Sequence, residues 1–336
     1  MKKEDRGRVW RLYGWFSALM ACGSCVGTVS SAARMMFFFF FLDARVSPDR
    51  AQQTSLGALA YNWFNVFLVT YGIEVLCSCA ATIMVLDRMS AFAAPQGTRL
   101  LKWWTVAGRT VMVCLVLGNS VGLAANVAAA VHLQKVAVAL STASAFYAAN
   151  NTQDGDGFSS LSKEESLRGT SIVVVQLYCE NAVRLLIVIA YVAAGVLSSR
   201  RVTLALREVE KKRAVQKLYN PGQAEPPFLT EASIQGRSLR LRVVGTTAFI
   251  FVAFVVSLIY SFISLVAQTQ VQTKCRSCDA SCSDGALFAV WIEATAEFEY
   301  VVLILGSPLA LLVALWGMTP NATLRMMTSN EREEML

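Results

Sequence analysis

The chain has 336 residues, of which 55% are hydrophobic and 16% charged, with a formal net charge of +7. Its apolar residues fall into long continuous blocks, which excludes a water-facing globule and, because the blocks do not alternate, a transmembrane barrel. Backbone groups in hydrocarbon must be satisfied within the segment, so the composition predicts an all-α, polytopic membrane helix bundle.

A basic head, MKKEDRGRVWR, opens onto a first apolar block over about 13–42, and the polar stretch DARVSPDRAQQTS after it reads as a loop. Ser31-Ala32-Ala33 has the form of a signal-peptide cleavage site, but RMMFFFFFL continues the apolar run past it, so a spanning helix is the better reading. The second block covers about 56–86 and stops at Asp87-Arg88. Pro95-Gln96-Gly97 precedes the third, about 103–131, which runs on as an alanine-rich helix toward Tyr147 until NNTQDGDGFSSLSKEES breaks it. The fourth, about 170–198, feeds into RRVTLALREVEKKRAVQK, a basic helical pattern with no breaker before Asn220-Pro221-Gly222. The fifth covers about 243–266, and the loop TKCRSCDASCSDG lies within the 267–286 connection that follows it. The sixth covers about 287–318, with a kink predicted at Gly306-Ser307-Pro308. Each block reaches the ~20 residues that cross a ~30 Å hydrocarbon layer, so six transmembrane helices in a single membrane domain are expected.

Lys and Arg near the span ends set the orientation. Segments 1–13, 87–102, 199–242 and 319–336 carry most of them, whereas the opposite loops hold only Arg45, Arg50, Lys163, Arg168, Lys274 and Arg276. Both termini are therefore expected in the cytosol, and the cysteine loop in the lumen or outside the cell. On that map the sequon Asn150-Asn151-Thr152 is exposed to glycosylation and Asn321-Ala322-Thr323 is not.

The one histidine, His132, and the absence of G-x-S-x-G, H-E-x-x-H and G-K-[ST] patterns argue against an enzyme. No cofactor is implied. The sharpest signals are ionisable groups inside spans, because these are costly in lipid and face a partner or a cavity. Arg34, Glu74, Arg109, Asn119, Glu180 and Arg184 form the expected intramembrane polar centre, with Asn65 and Asn181 at comparable depths. Glu180 and Arg184 are four residues apart and share a helix face. Two readings stay open: an internal network that holds the helices in register, or a pocket for a solute or ion lined by Glu74, Glu180 and Arg184. In both, Arg184 or Arg34 is expected to neutralise Glu74. Glu293, Glu297 and Glu299 read as a solvated outer helix end beside Trp291 and Tyr300.

In the 199–242 loop, Arg200, Arg201, Arg207, Lys211, Lys212, Arg213 and Lys217 alternate with apolar residues, which predicts an amphipathic helix near anionic headgroups or a cytosolic partner surface. The positive-inside rule accounts for the basic balance without nucleic acid. TQDGDGFSSLSKEE has a degenerate likeness to a calcium loop, but Lys163 stands where the final Glu belongs, so a polar turn is the default. Cys275, Cys278 and Cys282 lie on the oxidising side, where a disulfide is the default chemistry. Cys275–Cys282 is the sterically easiest bridge, which leaves Cys278 free or paired with a second copy in a disulfide-linked homodimer.

YGWFSALM followed by AARMMFFFFF, the basic connection into RSLRLRVVGTTAFIF, and EYVVLILGSPLALLVALW together resemble the tobamovirus multiplication protein family, seven-helix membrane proteins of plants with animal lysosomal relatives. Tyr13, Gly14, Trp15 and Arg34 would be family positions. The chain departs from the pattern in lacking the first span and in carrying the three-cysteine loop. The resemblance implies a non-enzymatic scaffold of vacuolar or lysosomal membranes that recruits small GTPases or other cytosolic partners. From the residues alone, a receptor-like or scaffold protein presenting its basic loop is the first expectation. A small-solute or ion transporter using Glu74, Glu180 and Arg184 is the alternative.

Overall fold

The computed structural model describes residues 3–93, 98–219 and 227–274, together with Trp291, and each element among them is an α-helix. They are α1 (Lys3–Val46), α2 (Arg50–Ala93), α3 (Thr98–Ala148), α4 (Thr152–Tyr219) and α5 (Pro227–Lys274). All five contain a stretch long and apolar enough to cross a membrane. Their exposed surface agrees with that reading: Met35 is 67% exposed, Leu117 60% and Ile189 57%, a density of bare apolar side chains that water would not tolerate. The sixth expected span, 287–318, and the cysteine loop lie outside the described residues, Trp291 excepted.

The helices are much longer than the apolar blocks, and this corrects two loop expectations. Between α1 and α2 only Ser47, Pro48 and Asp49 leave the helix. Pro48 lacks the donor that would continue α1, and Asp49 at once caps α2, its carboxylate accepting from the backbone N–H of Ala51 (3.1 Å) and Gln52 (3.4 Å). The α3–α4 turn is as short. Asn150 adopts a left-handed φ of 61°, and the N–H of Asn151 reaches back to the Phe146 carbonyl at 2.9 Å, closing α3. Asn151 then caps α4 by accepting from the Asp154 N–H at 3.3 Å. Polar composition was the signal for a loop, but here the polar residues cap helices and coat their first turns. Asp154 and Asp156 are thus already helical, which removes the calcium-loop geometry.

The chain divides into two compact units. The first comprises Met1–Ala81, Cys114–Val183 and Ser261–Thr295. In it α1 packs antiparallel on α2, with Gly23 against Cys77, Gly27 against Glu74 and Phe37 against Phe64 at 4.7 Å between ring centres. α2 packs antiparallel on α3 in one register from Ala51–Ser144 to Cys79–Asn119, and α3 on α4 from Tyr147–Gly155 to Gly118–Val183. Leu68, Ala129, Ala130, Leu133, Val136 and Val173 form the apolar core between them. Lipid tails are as apolar as these side chains, so close backbone approach at small residues and polar contacts between helices hold such a core together.

The second unit comprises Thr82–Val113, Arg184–Tyr260 and Ala296–Leu336. Its described core includes Val85 and Leu86 of α2 and the antiparallel α4–α5 pair. Tyr191 is buried and stacks on Phe254 at 5.4 Å, among Ile187, Val188, Ala194, Ile250 and Ala253. Gly195 lies directly against Thr247, so the two backbones meet with no side chain between them on the α4 side.

Candidate functional site

In the first unit, polar side chains line the seam where α2, α3 and α4 meet. Their spacing is the reason. Asn65, Gly72 and Cys79 recur every seventh residue of α2, and Asn119 and Asn126 do so in α3, so both sets stay on the facing surfaces of a long antiparallel pair. Asn119 is buried and donates through Nδ2 to Cys79 Sγ (2.8 Å) and to the Leu115 carbonyl (2.7 Å). One heptad along, the Asn126 amide lies over Gly72, 3.2 Å from where a Cβ would stand. One heptad further, Asn65 Nδ2 donates to Gln134 Oε1 at 2.8 Å.

Glu180 enters this seam from α4 beside Gly72. It is 7% exposed, and its two carboxylate oxygens are addressed separately: the Tyr71 hydroxyl donates to Oε1 at 2.6 Å and Gln176 Nε2 to Oε2 at 2.9 Å. Glu74 faces α1 rather than lipid. Its carboxylate fills the space over Gly27, with Oε1 2.7 Å from the position a Cβ would take, so the missing side chain at 27 is what admits the acid.

The remaining residues of the expected polar centre make the following contacts. The Arg34 guanidinium lies over the rings of Phe38 (5.8 Å) and Phe67 (5.7 Å), a cation–π arrangement. Arg184 belongs to the second unit, where its Nη1 donates to the Ser257 carbonyl at 3.4 Å. Arg109, also in the second unit, is exposed. Asn181 donates to the Leu177 carbonyl of its own helix at 2.9 Å.

Beyond the expected span ends, the first unit carries a second polar layer. His132 Nδ1 lies 2.7 Å from Glu165 Oε2, and Arg168 reaches Glu164 at 2.7 Å and Glu165 at 3.5 Å. The Tyr61 hydroxyl meets Ser166 Oγ at 3.2 Å. Asp156 accepts from Tyr147 at 2.6 Å and lies 3.6 Å from Arg50. Asn150, the sequon residue, is exposed at the apex of the α3–α4 turn.

The basic segment is helical as expected, but it is one piece with the fourth span. α4 runs 68 residues without interruption, and Arg200, Arg207 and Lys211 are exposed along its last third. The side chains of Arg201, Lys212, Arg213 and Lys217 lie outside the described residues, as do Cys275, Cys278 and Cys282. Tyr71, Gln176, Gly27, Gly72 and Asn126 were not singled out from sequence. The heptad recurrence of Asn65, Gly72 and Cys79 with Asn119 and Asn126 was the signal that could have found the last two.

No family model, characterised protein or solved structure matches the chain. The membrane reading therefore rests on the chain itself: an all-α protein whose described helices include five long and apolar enough to span a membrane.

Proposed function

We propose that this is a non-enzymatic integral membrane protein of receptor-like or scaffold type, which recruits a cytosolic protein through the basic end of α4. The observation that carries this reading is the continuity of α4 from its apolar stretch to Tyr219, with Arg200, Arg207 and Lys211 exposed. A helix lying on headgroups needs a break where it leaves the span, and α4 has none there. At ~1.5 Å per residue the helix carries Lys211 about 20 Å from the apolar block, beyond a Debye length of ~8 Å from a lipid surface, and its end at Tyr219 about 30 Å. Only the first turns remain close enough to meet anionic headgroups. The 199–242 segment holds ten Lys and Arg against Glu208, Glu210, Glu225 and Glu231, so the partner surface it fits is acidic. The positive-inside distribution assigns this end to the cytosol. The family resemblance supplies the partner class, a small GTPase, and the setting, an endomembrane of vacuolar or lysosomal kind.

The test uses the full chain in nanodiscs of neutral lipid, offered purified small GTPases in both nucleotide states. Binding that weakens with salt and is lost when Lys211, Lys212 and Arg213 are changed to Glu supports the reading. Retention on anionic vesicles alone, with no protein bound in neutral nanodiscs, overturns it in favour of a lipid anchor. Solute flux in liposomes that disappears in Glu74→Gln overturns it in favour of the transporter.

A further inference from the structure

The α3–α4 turn carries three polar residues in a row, and the fold accounts for two of them. Asn150 takes a left-handed φ of 61°, a conformation that asparagine adopts more readily than most residues. Asn151 caps α4, and its Nδ2 also donates to Asp154 Oδ2 at 2.7 Å. Thr152 opens α4 exposed, and no contact within the fold calls for its hydroxyl. Among the described residues neither the Asn150 amide nor the Thr152 hydroxyl has a hydrogen-bond partner. An asparagine followed two residues later by a hydroxyl is the acceptor pattern for N-linked sugar, and that pattern uses both free groups.

The turn also stands clear of the bilayer. The apolar segment that leads to it, Trp104–Ala148, has 45 residues, roughly 65 Å at ~1.5 Å each against a hydrocarbon layer of ~30 Å. Part of it must stand in water, and charged side chains mark which end. His132, Glu165 and Arg168 form a layer at the expected span end, and beyond it Glu164, Asp156 and Asp154 are exposed on α4. At ~1.5 Å per residue, α3 carries the turn about 25 Å past that layer. An exposed, unbonded side chain at this apex can carry a bulky hydrophilic substituent without disturbing the helices on either side.

We propose that Asn150 is an N-glycosylation site, modified on the lumenal face by a lipid-pyrophosphate-linked oligosaccharide. The Asn150 amide nitrogen bonds to the anomeric carbon of the sugar, and the bond from that carbon to the pyrophosphate oxygen breaks. The lipid pyrophosphate leaves, and the amide nitrogen gives up one proton. The second pattern of this kind, Asn321-Ala322-Thr323, belongs to the cytosolic side on the positive-inside map and stays unmodified. The inference shares its orientation with the scaffold reading but needs no partner.

The full chain is produced in eukaryotic cells, and its gel mobility is compared before and after digestion with a peptide N-glycosidase. A loss of one oligosaccharide in apparent mass is expected for wild type, and none for Asn150→Gln or Thr152→Ala. Thr152→Ser keeps the shift. Asn151→Ala keeps it too while lowering Tm, because the acceptor pattern survives and the helix cap does not. No shift in wild type overturns the proposal, and so does a shift that persists in Asn150→Gln. If the persisting shift disappears in Asn321→Gln, the chain is inserted the other way round and the scaffold reading falls with it. Protease added to the cytosolic face of sealed vesicles separates the two readings. Cleavage within 199–242 leaves the scaffold reading standing even where Asn150 proves unmodified.

Discussion

The two units solve the same problem, joining long helices in lipid, by different means. In the first, side-chain hydrogen bonds cross between helices at successive layers: Ser144 to Ala51, Asn65 to Gln134, Tyr71 to Glu180 and Asn119 to Cys79. In the second, the described α4–α5 contacts include ring stacking of Tyr191 on Phe254 and the close approach of Gly195 to Thr247, beside the bond from Arg184 to the Ser257 carbonyl. Polar layers fix register, because sliding by one turn would strand each group without its partner. Shape contacts fix distance, and they fail steeply when volume is added. The polar layers of the first unit should therefore respond to lost polar atoms, and the Gly195–Thr247 crossing of the second to added carbon atoms.

The largest effect should follow from one methyl group in the second unit. In Gly195→Ala the new Cβ would collide with Thr247, standing 3.0 Å from its Cβ and closer still to Cγ2. Thr is short and stiff at χ1, so the strain has no flexible chain end to absorb it. A loss of about 1–3 kcal/mol is expected from thermal or denaturant unfolding in detergent. Thr247→Ala in the same chain should recover most of it. Equal losses with and without that second change would show that volume at this crossing is not what holds the pair.

A smaller loss should follow from one oxygen atom in the first unit. Tyr71→Phe keeps the ring, which stacks on Phe67 at 5.6 Å, and removes the hydroxyl that donates to Glu180. Hydrogen bonds within membranes contribute less than burial alone implies, so about 1 kcal/mol is expected. Because the two residues share the bond, Tyr71→Phe should cost less in a Glu180→Gln background than in wild type. Strict additivity would mean that the seam is decoration on an apolar core and would dissolve the contrast between the units.

The helices and their membrane character were legible in the sequence because hydropathy over ~20 residues is set by the bilayer itself. Glu74 and Glu180 were legible as interior groups because a charge in lipid needs a partner. What they face was not. Gly27 admits Glu74 and Tyr71 meets Glu180 only through the register between helices, and no local pattern states that register. The short turns were missed for a related reason. Asp49 and Asn151 cap helices, yet each sits among polar residues that also make good loops. The basic end of α4 was read correctly as helical, but its periodicity is the same whether it lies on a membrane or stands away from it. Only the unbroken backbone separates these two.

The smallest effect has the opposite sign and separates conformational cost from packing. Gly122 in the first unit and Gly245 in the second are both helical, and a Cβ at either would meet nothing within 4 Å. Neither adopts a positive φ, so alanine fits the backbone already present. Replacing glycine by alanine in a helix interior stabilises by up to about 1 kcal/mol, chiefly by restricting the unfolded chain. Gly122→Ala and Gly245→Ala should therefore each raise Tm slightly and by similar amounts, although the units containing them differ in how their helices are joined. With Gly195→Ala they form a matched set in which the chemical change is constant and only the neighbourhood varies. If Gly245→Ala destabilised as Gly195→Ala does, the whole α4–α5 interface would be intolerant of side chains, and the single tight crossing at Thr247 would lose its special standing.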